Sequence, residues 1–147
     1  MPIYLDHAAT TPLRPELVEG YLEQLQVLGN PSSVHSSGQA ARRALEDARD
    51  VLAKAVGCHR SEVLFTSGGT ESDNLAIKGV FEMYASKGNH IITATTEHKA
   101  VLDTCKHIEK TGGEVTYLKV NDDGLIDLAE LEAAIKPTTI LIEIGRA

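Results

Sequence analysis

The 147 residues allow one ordinary domain, and with 42% hydrophobic and 24% charged side chains they have the profile of a folded globular chain, not of a disordered or fibrous one. A formal net charge of −7 argues against nucleic acid as a partner, because a phosphate backbone calls for a concentrated basic surface. The longest apolar runs are strand-sized, so no membrane span is expected. The opening MPIYLDHAATTP lacks the basic region and apolar run of a secretory signal. Cys58 and Cys105 are far apart and form no CxxC pair, so neither a disulfide scaffold nor a thiolate metal site is expected, and a reducing, cytoplasmic compartment is.

Residues 1–14 read as an irregular N-terminal segment. Pro15 can then open a helix whose apolar stripe is Leu17, Val18, Tyr21, Leu22, Leu25 and Leu28. GNPSS at 29–33 is turn chemistry. Ser36 with Gln39 predicts a capping box for a second helix, with Ala41, Ala44, Leu45, Ala48, Val51, Leu52 and Ala55 as its core face. From residue 62 the rhythm alternates. EVLFT (62–66) predicts a strand, 70–84 a helix, HIITA (90–94) a strand, 99–110 a helix and EVTYL (114–118) a strand. Asp127 and Glu130 would cap a short helix ending at Lys136 and Pro137, and TTILI (138–142) follows as a strand.

Successive strand-helix-strand units predict an α/β, three-layer architecture: a mainly parallel sheet with covering helices, joined by right-handed crossovers. Only about four strands are predicted, and parallel strands need both faces covered. The final LIEIGRA adds no further helix. The expectation is therefore a truncated or internally shortened chain.

The sharpest local motif is TSGGTESDN at 66–74. Two glycines allow a tight turn at a strand end, and the free N–H groups of the following helix, with the Thr70 hydroxyl, can cradle a dianionic phosphate. A plain capped helix start is the alternative. The run is neither GxxxxGK[ST] nor GxGxxG, so a nucleotide loop is not indicated. Glu71 and Asp73 favour the helix dipole but would repel a phosphate if turned inward. His98, in ITATTEHKAV, follows another strand end and would lie at the same sheet edge, offering a planar imidazole for stacking or proton transfer. A surface histidine at a helix start is the competing reading. No metal-ligand spacing is present. Cys105 falls on the apolar stripe with Val101, Leu102 and Ile108, which predicts packing and not nucleophilic chemistry.

Together YLDHAATTPL (4–13), GNPSSVHSSGQ (29–39), VLFTSGGTESDNLAIKG (63–79), HIITATTEHKAVLDTC (90–105) and GGEVTYLKV with DGLIDLAELEAAIKPTTILI resemble the cysteine desulfurase family of class V, fold type I pyridoxal-phosphate enzymes. The resemblance implies that residues 15–147 are part of the large domain of such a transferase. It implies that Gly69 and Thr70 contact the cofactor phosphate, and that His98 lies over the pyridine ring and shuttles protons. Asn30 and His35 would belong to a segment near the active site. The implied reaction takes L-cysteine to L-alanine and leaves the sulfur as an enzyme persulfide, which passes to an acceptor or scaffold protein for iron-sulfur cluster assembly or thiolation. A cytoplasmic homodimer is implied as well.

The resemblance becomes discontinuous at Ile142 and Glu143, where Glu143-Ile144-Gly145 follow directly and the preceding asparagines of the family pattern are absent. No Ser-x-His-Lys run supplies a Schiff-base lysine, and no loop cysteine follows. These 147 residues alone are expected to bind the cofactor weakly and not to turn over cysteine. A selenocysteine lyase or related class V enzyme, and a noncatalytic fragment or binding module, are the alternative readings.

Overall fold

The computed structural model describes residues 3–145, and the chain divides into two compact units, Met1–Leu64 and Phe65–Ala147. The first unit holds α1 (Pro15–Leu25), α2 (Ser36–Val56) and a 3-10 turn at Arg60–Glu62. The second holds α3 (Gly69–Met83), β1 (His90–Ala94), α4 (Lys99–Lys110), β2 (Glu114–Leu118), α5 (Leu128–Ala134) and β3 (Thr139–Glu143). None of the helices is long and apolar enough to cross a membrane.

In the first unit Pro15 starts α1, as its fixed φ and missing N–H allow. The α1 stripe forms from Leu17 to Leu25, Leu28 lies beyond the helix end, and no residue of the helix is buried. The predicted core face of α2 is likewise corrected. Ala44, Leu45, Ala48, Val51, Leu52 and Ala55 are exposed, and only Gly38 and Ala53 are buried. An amphipathic stripe specifies a face suited to burial, but not a partner to bury it. The capping box also shifts. His35 is the N-cap, its Nδ1 accepting the Gly38 N–H at 3.3 Å, while the Gln39 amide donates to the Val34 carbonyl at 2.8 Å. The helix stops at Gly57, whose φ of 75° is the left-handed conformation that glycine adopts without steric cost.

In the second unit the sheet has the order β2-β1-β3, and both pairings are parallel. Every residue of the central β1 is buried, as a parallel strand covered on both faces requires. Ile91 packs with Ile77 of α3 and with Val101, Cys105 and Ile108 of α4, flanked by Phe81, Val115, Tyr117 and Leu141. Each fully buried isoleucine contributes about 1.5–3 kcal/mol relative to exposure. Asp127 caps α5 by accepting the Ala129 N–H at 2.8 Å. That helix ends at Ala134, short of the predicted Lys136, because Pro137 disfavours a helical conformation in the residue before it.

The predicted strand over EVLFT does not form: residues 63–66 carry no ladder, and Leu64 is 70% exposed. A β-rich segment becomes a strand only when it pairs with another, and residues 63–66 pair with neither outer edge, that of β2 or that of β3. The described sheet therefore has three strands.

Candidate active site

The TSGGTESDN segment folds as a turn tied by its own side chains. Gly68 precedes α3 in nearly extended backbone (φ 158°, ψ −179°). The Thr66 and Ser72 hydroxyls lie 2.7 Å apart, and each reaches the Gly68 carbonyl at 3.2 Å. The Ser72 N–H donates to the same carbonyl at 3.1 Å. The N–H groups of Gly69, Thr70 and Glu71 thus precede the first helical hydrogen bond and remain available to an outside acceptor. Glu71 is turned back on the turn, its Oε2 accepting the Ser67 N–H at 2.6 Å. Hydrogen bonds from the Ser67 side chain and backbone hold its carboxyl below the usual carboxylate range. Asn74 donates to the Thr70 carbonyl at 2.9 Å, whereas the Thr70 hydroxyl has no partner among the described residues.

His98 is the N-cap of α4, with Nδ1 accepting the Ala100 N–H at 3.1 Å. An accepting Nδ1 leaves the proton of the neutral ring on Nε2. Lys99 pairs with Asp103 at 2.6 Å, and this contact lowers the Asp103 carboxyl. Thr70 and His98 come together along a groove of about 460 Å³ that also takes in Asn74, Lys78, Asp103 and His107. Gly69 does not line the groove; it opens α3 one residue before Thr70. A Cβ built at Gly68 or Gly69 would meet nothing within 4 Å. Three unpaired N–H groups, a free hydroxyl and open space beside the glycines form a donor set that fits a dianionic phosphate.

Asn30 and His35 serve their own turn: the Asn30 side chain accepts the Ser32 N–H at 2.9 Å, and His35 caps α2. His59 plays the same part at the 3-10 turn, within a capping box completed by Glu62. The imidazole Nδ1 is thus a recurrent helix cap here, a role that preference lists of serine, threonine, asparagine and aspartate do not flag. Sequence reasoning also missed the pair Thr93 and Glu143, which face each other across β1 and β3. The Thr93 Oγ1 and Glu143 Oε2 atoms are buried and turn to each other, the Thr93 hydroxyl being the one group that favours the charged form of Glu143. Burial, followed by the charges of Glu97 and Asp73, pushes the Glu143 carboxyl up. No cluster of three metal-ligating side chains occurs among the described residues.

A family model for class-V aminotransferases matches residues 3–147. Cysteine desulfurase IscS of Proteus mirabilis is 51% identical over 148 residues, and that of Photorhabdus laumondii 53%; each alignment covers 98% of this chain and 37% of the relative. The chain therefore spans little more than a third of the length of these relatives. Among solved structures, a NifS-like protein superposes with a TM-score of 0.91 at 38% identity, covering 98% of this chain and 40% of the other. SspA in complex with cysteine gives 0.88 at 40% identity, covering 96% and 41%. DndA from Streptomyces lividans gives 0.81 at 36%, covering 97% and 40%. With an α/β three-layer fold, a family match over almost its whole length and a likeness to these cysteine desulfurases across a third of theirs, the chain belongs to the class-V aminotransferase family.

Proposed function

We propose that these residues supply the phosphate cradle and the ring-side histidine of a pyridoxal-phosphate-dependent cysteine desulfurase, which converts L-cysteine to L-alanine and passes the sulfur, as an enzyme persulfide, to an acceptor or scaffold protein. The observation that carries this reading is the meeting of Thr70 and His98, from two separate helix starts, along one groove. Pyridoxal phosphate, when bound, supplies an electron sink for bond cleavage at the α-carbon of an amino acid.

The chain's own groups divide the remaining work. The Gly69 and Thr70 N–H groups and the Thr70 hydroxyl bind phosphate, assisted by the dipole of α3. Glu71 holds the turn through Ser67, so its charge is engaged within the turn. His98 offers a flat ring to the pyridine, and with Nδ1 committed to Ala100 the proton it holds or gives resides on Nε2. Lys78 and Lys99 line the groove, but neither sits in a Ser-x-His-Lys run. Turnover therefore belongs to the complete family architecture, and cofactor binding to the residues described. A cytoplasmic homodimer belongs to the same proposal and rests on the family resemblance.

The test compares pyridoxal phosphate with phosphate-free pyridoxal on the ¹⁵N-labelled chain. Phosphate-dependent amide shifts should centre on Gly69, Thr70 and Glu71. Thr70→Ala should weaken the phosphorylated ligand about tenfold, the worth of a hydrogen bond to a charged group, and leave pyridoxal unchanged. Equal binding of both ligands, or shifts elsewhere, would overturn the assignment.

A further inference from the structure

His90 opens β1 with a fully buried side chain, and both of its ring nitrogens are engaged. Nδ1 lies 2.7 Å from the Thr139 hydroxyl on β3, and Nε2 lies 2.8 Å from the Thr116 hydroxyl on β2. One imidazole therefore bridges all three strands of the sheet. It does so at the β1–β3 register shift between His90 and Ile91, beside the His90 N–H that donates to the Thr138 carbonyl at 3.0 Å.

The Thr139 oxygen already accepts the Lys136 N–H at 2.8 Å. Its own hydrogen is satisfied when it donates to Nδ1, which places the histidine proton on Nε2, facing the Thr116 oxygen. A proton added to Nδ1 would turn that acceptor into a donor and leave the Thr139 hydrogen without a partner. We propose that His90 is a pH-gated clamp: as a neutral ring it closes the amino edge of the sheet, and on protonation it releases β3 from β1.

The charged groups facing it are Glu114 from β2 and Lys136 from the α5–β3 connection, which are paired with each other. Burial first, and then the Lys136 ammonium, push His90 below the ordinary histidine value, while Glu114 acts the other way. The unfolded chain therefore takes the proton more readily than the folded one. Stability from the clamp is fully present above about pH 6.5 and is lost as pH falls through the lower folded value.

The test follows the His90 ring by ¹⁵N NMR and exchange of the His90 amide, which donates to the Thr138 carbonyl, in the full chain between pH 8 and 5, beside His90→Gln. The neutral Nε2–H form should persist below pH 6.5. Under further acid the exchange of that amide, corrected for its intrinsic pH dependence, should rise by up to about tenfold per pH unit. His90→Gln should lose that acid-dependent component. A ring that titrates at or above the ordinary value, an Nδ1–H form at neutral pH, or an unchanged acid response in His90→Gln would overturn the clamp. If the variant does not fold, the ring titration of the unmodified chain decides.

Discussion

Cys105 is wholly buried among Ile77, Ile91, Val101 and Ile108. Burial, with smaller contributions from Glu143 and Glu109, pushes its thiol up to about 11. A thiol so placed is a packing residue, as its position on the α4 stripe predicts. A thiol reagent at pH 8 should therefore modify only Cys58, which is half-buried, and should reach Cys105 after unfolding; mass spectrometry of the native and urea-treated chain checks both sites. Labelling of Cys105 in the native chain would contradict its burial. Other residues were less legible. The TSGGTESDN run marks the turn, but the fate of Glu71 depends on a rotamer that brings its carboxylate to Ser67. His98 could be read equally as a cap or as a ring-side group, and its Nδ1 and Nε2 allow it to be both. Thr93 and Glu143 could not be paired from sequence, because strand register across a crossover is a tertiary property.

Among the elements, HIITA, EVTYL and the helix at 99–110 form with the boundaries their periodicities predict, and TTILI forms as a strand one residue later. These segments combine strong local patterning with neighbours that satisfy it. EVLFT has the patterning and pairs with no strand of the described sheet. Between α4 and β2 the chain passes so close to the core that a Cβ on Gly113 would collide with the side chains of Ile108 and Phe81. Gly113→Ala should therefore cost about 1–3 kcal/mol through overpacking, read as a lower urea midpoint at unchanged slope. A midpoint equal to that of the unmodified chain would show that the two side chains can move aside.

At the scale of the whole molecule, burial is uneven. It concentrates on β1 and α4, while α1 has no buried residue. Hydrogen exchange should follow this distribution, with the β1 and α4 amides slowest and those of α1 close to unprotected rates, because opening free energy tracks buried apolar packing. Protection of α1 equal to that of β1 would refute the ranking. The sequence by itself determined the local terms: the alternation of strand and helix, the glycine turn before α3 and the apolar stripe carrying Cys105. Those follow from periodicity, turn chemistry and residue type, which act over a few neighbouring positions. Only the tertiary structure decided which strands find partners, which apolar faces are covered, that Thr70 and His98 share a groove, and that His90 spans three strands. Each of those depends on residues far apart in the chain being held within a few ångströms of one another.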